Sequence, residues 1–171
     1  MRDKKTRKLT LTAICAAGSV VLVFLASAMP TGQLGFTAIG SLFCAATVIE
    51  AGLAYGAAQF VVAAGLTLLL VPDKGVALLY ALFFGYYPLV KSLAEQVKSQ
   101  ALGWIIKLAV LNAAFTALVL ILGRGIVPDA MEKLPLAVLY IAANAVFVLY
   151  DIGVTKLIAL YMDSISKFRK R

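Results

Sequence analysis

The sequence predicts an all-α integral membrane protein, a compact bundle of six transmembrane helices. Hydrophobic residues make up 63% of the 171 positions and charged residues 14%, and the mean hydropathy is +0.97. A soluble domain of this length cannot bury that much apolar surface, so most of the chain is expected to lie in a lipid bilayer. The apolar runs are continuous rather than alternating, which favours helices over the strands of a barrel. We therefore expect one polytopic membrane domain over residues 1–171.

Basic residues are concentrated at the two ends of the chain. The net charge is +8, and most Lys and Arg residues lie in residues 2–8 and 156–171. This distribution is typical of a protein oriented in a membrane and does not indicate a nucleic-acid partner. With six spans, both short basic tails, residues 1–8 and 163–171, lie on the cytoplasmic side of a bacterial inner membrane. The alternative of five spans would separate the two tails.

Six apolar runs are long enough to cross a bilayer, which takes about 20 helical residues. We expect helices over residues 9–29, 34–49, 53–71, 76 to beyond 91, 102–122 and 135–162. Turn-forming residues separate the runs at 30–32 and 72–75, and Pro88 should kink the fourth helix because it lacks a backbone N–H. The first run also resembles a signal peptide ending in Ala26-Ser27-Ala28, but its length favours a transmembrane helix.

Four charged residues are predicted to form a buried cluster in the cytoplasmic third of the bundle. Lys91 and Asp151 fall on polar stripes of the fourth and sixth helices at equal depth, and Lys107 and Glu50 lie at a similar level. Because a lone carboxylate is costly in a membrane, we expect Asp151 to pair with Lys91 or, failing that, with Lys107. The alternative is that both lysines extend to the membrane interface and that Asp151 alone needs a partner.

Aromatic and amide side chains toward the outer half of the helices form a candidate ligand-binding site. Its residues are Tyr80, Asn112, Tyr140 and Asn144. Rings offer stacking area and amides offer orienting hydrogen bonds, so this set is typical of a small-molecule pocket. The alternative is that the tyrosines anchor the protein at the membrane interface and that the asparagines join neighbouring helices.

Enzyme chemistry is not indicated by the sequence. His is absent, and the two cysteines, Cys15 and Cys44, lie inside apolar runs, so we expect no disulfide, metal site or cofactor. The Asp and Glu residues are scattered rather than paired. No nucleophile has an evident base, and no Gly-rich phosphate loop follows a strand.

Small residues recur four positions apart in the first helix, at Ala13 and Ala17. This spacing lets another helix approach closely, so we expect the pair to lie on a packing surface for a partner or for another helix of the same chain. With its length, six predicted spans, basic ends and AxxxA spacing, the chain resembles the substrate-binding S-components of energy-coupling-factor vitamin transporters.

The resemblance implies a function and a set of partners. In that family the AxxxA face of the first helix contacts a transmembrane coupling subunit, which works with ATPases, and the vitamin binds toward the extracellular side. Ala13 and Ala17 correspond by position, whereas the candidate ligand residues come from the helical pattern of this sequence alone. We therefore expect a substrate-capturing subunit of a small-molecule uptake transporter. The alternative is a non-transporting membrane interaction or envelope protein.

Overall fold

The computed structural model describes residues 2–29, 31–97, 99–122 and 135–169. Throughout these ranges the regular secondary structure is helical, and they contain no strand. The chain divides into two compact units, residues 1–133 and residues 134–171. Lys98 and the polar loop with Arg124, Asp129, Glu132 and Lys133 lie outside the described residues.

Seven α-helices and one π-helical segment make up the described part of the chain. The π-helical segment belongs to the fourth apolar run and follows α4 directly. The bounds are α1 Arg2–Ala28, α2 Gln33–Ala51, α3 Leu53–Leu70, α4 Lys74–Leu79, the π-helical segment Tyr80–Phe84, α5 Tyr87–Ala94, α6 Gln100–Leu122 and α7 Leu136–Arg169.

Six helical stretches within the described residues are long and apolar enough to cross a membrane. This number agrees with the six runs found in the sequence, and the stretch Lys74–Ala94 combines α4, the π-helical segment and α5. The first and last helices extend beyond their apolar runs, since α1 begins at Arg2 and α7 continues to Arg169. No Pro or Gly interrupts those extensions, so helical geometry continues into the charged tails.

In the first unit α1 packs along both α2 and α3. A single residue, Gly52, connects α2 to α3 with a φ of +103°, which residues bearing a side chain rarely adopt. At the same end, the Lys8 ammonium donates a 2.9 Å hydrogen bond to the carbonyl oxygen of Ala51. A cation is favourable there because the last carbonyls of a helix are unsatisfied and carry partial negative charge. The start of α1 is thereby joined to the end of α2.

The predicted turn at residues 72–75 joins α3 to α4. Asp73 Oδ1 accepts hydrogen bonds of 2.8 and 3.3 Å from two backbone N–H groups in the first turn of α4, so Asp73 caps that helix. Lys74 Nζ donates to the carbonyl oxygens of Leu68 and Val71, at 2.9 and 3.0 Å. The two adjacent residues therefore begin α4 and satisfy the end of α3.

Pro88 interrupts the fourth apolar run, as predicted. Because it has no N–H, it cannot donate to the carbonyl oxygen of Phe84, four residues earlier. Directly before this point the chain forms a π-helix, in which the Gly85 N–H donates to the Tyr80 carbonyl oxygen at 2.7 Å. α5 then begins at Tyr87 with Pro88 in its first turn. The interruption is thus a π-helical turn followed by the start of a new helix, α5, rather than the kink expected from the sequence.

Of the second unit the structure describes one long helix, α7. Large apolar side chains such as Ile141 and Leu149 are exposed on it, which is typical of a helix in contact with lipid. The buried side chains recur at helical spacing along one side: Leu139, Phe147, Asp151 and Val154.

Candidate functional site

A charge cluster joins α5 to α6 in the first unit. Lys91 and Lys107 are 3% and 6% exposed, and both ammonium groups approach the same carboxylate oxygen, Glu95 Oε1. The Nζ–Oε1 distances are 2.7 Å for Lys91 and 3.5 Å for Lys107. The Glu95 side chain is 52% exposed, so the carboxylate lies at the border of the packed helices. The Trp104 ring centroid lies 5.2 Å from Lys107 Nζ, which adds a cation–π contact.

The close approach of α5 and α6 positions this cluster, and Gly103 permits that approach. A Cβ built on Gly103 would lie 2.9 Å from the carbonyl oxygen of Ala94, closer than real Cβ atoms come to another atom. The i,i+4 spacing places Lys91 and Glu95 on one side of α5. Lys107 follows Gly103 by four residues, about one helical turn, so it lies on the side of α6 that faces α5.

The predicted charge cluster contained Glu50, Lys91, Lys107 and Asp151. The structure buries Lys91, Lys107 and Asp151, whereas Glu50 is exposed in the last turn of α2, where few neighbours cover a side chain. Asp151 lies on α7 in the second unit, and its pairing with Lys91 or Lys107 stays a prediction. Sequence reasoning missed Glu95, because its position after the apolar run suggested a solvated helix end. Its spacing of four from Lys91 was the available signal.

Two of the four candidate ligand residues lie in the first unit. Tyr80 is fully buried at the start of the π-helical segment. Asn112 is partly buried on α6, and its amide donates to the Leu108 carbonyl oxygen at 2.7 Å. This bond to the preceding turn of the same helix satisfies an amide donor in apolar surroundings.

The other two candidate ligand residues, Tyr140 and Asn144, lie on α7 and are partly buried. The Asn144 amide donates to the Tyr140 carbonyl oxygen at 2.8 Å, which repeats the arrangement of the asparagine on α6. A pocket shared by all four residues stays a prediction.

A buried polar network that the sequence analysis missed connects α1, α2 and α3. Ser19 and Gln59 are fully buried. The Ser19 hydroxyl donates to the Gly40 carbonyl oxygen on α2 at 2.8 Å. The Gln59 amide nitrogen on α3 donates to Ser19 Oγ at 2.9 Å and to the Cys15 carbonyl oxygen at 3.4 Å. Three helices are therefore joined by hydrogen bonds between buried groups.

Tyr80 brings a second polar side chain to the same place. Its hydroxyl lies near the side chains of Ser19 and Gln59, outside the distances and angles of a hydrogen bond to either. Among the described residues, neither the Tyr80 hydroxyl nor the Gln59 amide oxygen has a hydrogen-bond partner. Buried polar atoms are nearly always paired, so this unsatisfied pair marks a candidate binding position. The signal in the sequence was an amide inside the apolar run 53–71.

The small-residue pair on α1 is exposed. Ala13 and Ala17 face away from the packed side of the helix, on which Cys15, Ala16 and Ser19 are buried. Within the described part of the chain no helix covers the pair, so this face of α1 is available to a partner.

Metal-ligand groups, the two thiols and the comparisons with known proteins complete the description of the site. In the described ranges no group of three His, Cys, Asp or Glu side chains is placed to hold a metal ion, and Cys15 and Cys44 are buried free thiols. No family model, no curated protein and no solved structure matches the chain.

Proposed function

We propose that the chain is the substrate-capturing membrane subunit of a small-molecule uptake transporter, similar in role to the S-components of energy-coupling-factor transporters. In this proposal it is a compact six-span bundle in a bacterial inner membrane with both termini in the cytoplasm. Separate coupling and ATPase subunits supply the energy, and the substrate is vitamin-like. The chain itself carries out no catalytic step.

The exposed small-residue face of α1 is the observation that carries this proposal. α1 packs along α2 and α3 with one side, while Ala13 and Ala17 remain exposed on another. Small side chains gain little from contact with lipid, but they let a partner helix approach closely and gain van der Waals contact. A subunit that must dock reversibly on a membrane partner needs such a face.

Buried polar groups in the first unit support a role in ligand capture. A chain that served only to span the membrane would gain nothing from an unsatisfied amide oxygen and hydroxyl in its core, because such groups cost free energy. Gln59 and Tyr80 carry these groups, and Tyr80 is also one of the four residues that the sequence pattern assigns to the ligand.

Ligand binding by the purified protein tests the proposal. The full chain would be purified in mild detergent and its co-purifying small molecules identified by mass spectrometry. Its thermal unfolding would then be followed with single water-soluble vitamins. A ligand present at 100 times its Kd stabilises the folded state by about 2.7 kcal/mol, which raises the Tm by several degrees. A second membrane protein purified in parallel identifies compounds that come from the detergent.

The alternative, a non-transporting membrane interaction protein, predicts a different result in the same experiment. Such a protein would also use the α1 face, but it would carry no small molecule and would show no rise in Tm with any vitamin. That outcome would reject the proposal of a transporter subunit, but it would still be compatible with a partner that docks on the α1 face.

A further inference from the structure

We infer that Gln59 and Tyr80 form a binding site for one neutral hydrogen-bonding group in the core of the first unit. The group is a water molecule or a hydroxyl or amide of a bound organic compound. It donates a hydrogen bond to Gln59 Oε1 and accepts one from the Tyr80 hydroxyl.

The hydrogen-bond network fixes which way the Gln59 amide faces. The Ser19 hydroxyl has one proton, and it is donated to the Gly40 carbonyl oxygen, so Ser19 Oγ can only accept from Gln59. The Cys15 carbonyl oxygen is likewise an acceptor. Only the amide nitrogen can satisfy both of these acceptors, so the amide oxygen must point the other way.

The two unsatisfied atoms have complementary hydrogen-bonding roles. Gln59 Oε1 requires a donor, and the Tyr80 hydroxyl, which has no partner among the described residues, can both donate and accept. Both side chains are fully buried, so bulk water does not satisfy them. A single group that donates to the first atom and accepts from the second satisfies both.

Packing holds the Tyr80 ring on this side of the fourth apolar run. A Cβ built on Gly85 would lie 2.9 Å from ring atoms of both Phe60 and Tyr80, so the two rings lie tightly over the glycine. Tyr80 is the first residue of the π-helical turn. π-helical turns occur frequently at functional sites, where they direct a side chain that a regular helix would direct elsewhere.

The bound group must be neutral. Between Lys8 and the end of α1 the sequence contains no charged residue, and α3 contains none along its whole length. An ion bound beside Ser19 and Gln59 would therefore lack a nearby counter-charge in apolar surroundings, which is strongly unfavourable. A hydroxyl, an amide or a water molecule carries the required donor and acceptor without this cost.

A structure at a resolution that shows ordered water tests the site. We expect density within about 2.7–3.0 Å of both Gln59 Oε1 and the Tyr80 hydroxyl oxygen. An isolated peak in protein purified without ligand identifies water, and this outcome does not depend on the proposed transport function. Density continuous with a co-purified compound shows that the bound group belongs to that compound. Only this result, and not the water result, rests on the proposed function. A direct hydrogen bond between the two side chains, without density between them, would overturn the inference.

A hydroxyl deletion gives an independent measurement. Tyr80→Phe should lower the Tm by about 2–4 °C, because the bound group loses one of its two partners. Tyr86→Phe is the matched control, since it removes a hydroxyl from a half-buried tyrosine that packs edge-on against Phe60. It should leave the Tm within about 1 °C of the unmodified protein. An unchanged or higher Tm for Tyr80→Phe would mean that its hydroxyl binds nothing, which contradicts the inference.

Discussion

Lys91 and Lys107 are both buried, and a buried ammonium group is tolerated only when a carboxylate compensates the lost hydration. Glu95 provides that compensation from a half-exposed position, so its own carboxylate remains partly hydrated. This arrangement costs less than a fully buried pair, because only the two cations are removed from water. Glu95 is therefore the carboxylate that joins the two lysines in this cluster.

Removal of the Glu95 charge should destabilise the protein. Glu95→Gln leaves two buried lysines without this counter-charge, and we expect a loss of about 1–3 kcal/mol in the free energy of unfolding. Denaturant titration in detergent measures the loss. Asp3→Asn, which neutralises an exposed carboxylate on α1, should change the free energy by less than about 0.5 kcal/mol.

A double substitution separates the charge effect from a packing effect. Glu95→Gln combined with Lys91→Met should recover part of the loss, since one of the two buried cations that contact Glu95 is gone. If Glu95→Gln were no more destabilising than Asp3→Asn, the lysines would not depend on this carboxylate.

The pattern of residue types along the sequence predicts which side chains are buried better than it predicts which residues they contact. Polar stripes and depth placed Lys91, Lys107, Asp151 and Glu50 in a buried cluster, and the structure buries all of these except Glu50. Glu95 was missed because it follows the apolar run, and Gln59 was missed because its partners lie on another helix. The Ser19–Gln59 hydrogen bond joins residues 40 positions apart, and no local pattern encodes that distance.

At the scale of a helix, close approach is set by residues without a side chain. α5 and α6 meet at Gly103, where any Cβ would clash with the backbone oxygen of Ala94. Backbone atoms cannot move aside as a flexible side chain can, so a larger residue must push the two helices apart. The ion pair between α5 and α6 depends on the same approach.

Gly103→Ala should therefore destabilise the first unit by about 1–3 kcal/mol, and it should weaken the Lys107–Glu95 contact as α6 shifts. Gly65→Ala on α3 is the matched control, because nothing lies within 4 Å of a Cβ built there. The control should be neutral or stabilising by up to about 1 kcal/mol, since Ala favours helix. Both are measured as free energies of unfolding in detergent. Equal effects at the two positions would contradict a close approach at Gly103.

The small-residue face of α1 gives a prediction about assembly. Ala13→Leu with Ala17→Leu should prevent a partner helix from approaching and so abolish formation of the transporter complex. The ratio of partner subunits to this chain after affinity purification measures assembly. Because both alanines are exposed, the Tm of the isolated protein should change by less than about 2 °C.

Ala54→Leu with Ala58→Leu is the matched control for that assembly test, since these residues are exposed on α3 with the same spacing. This variant should assemble normally. Unfolding of the Ala13/Ala17 variant by itself would show that the pair packs inside the chain rather than against a partner.

The sequence predicted the bounds of α2 and α3 more accurately than it predicted the backbone geometry of the fourth apolar run. Apolar length and turn residues predicted α2 and α3 to within about two residues, because lipid and backbone hydrogen bonding leave few alternatives. The π-helical segment was not predicted. Pro88 shows where the hydrogen-bond pattern must change, but several backbone geometries satisfy that requirement.

For the whole molecule, six apolar stretches and basic ends predict that both termini are cytoplasmic. A cysteine introduced at Thr31, exposed between α1 and α2, should react with a membrane-impermeant thiol reagent added outside intact cells. A cysteine at Gln100, exposed at the start of α6, should not react until the cells are opened. Cys15 and Cys44 are buried, so the unmodified chain is a suitable background. Reaction of the Gln100 cysteine from outside would reject this orientation.

The order in which the helices are synthesised gives the Ser19–Gln59 contact a further consequence. If the proposed membrane bundle inserts during translation, residues 15 and 19 enter the bilayer before residue 59, so the amide of Gln59 meets two acceptors that are already in place. In a circularly permuted chain that began at α3, the same amide would enter lipid with no acceptor. Insertion of α3 would then carry the cost of an unpaired amide. The natural helix order therefore lets the Gln59 amide nitrogen find both of its acceptors as α3 inserts.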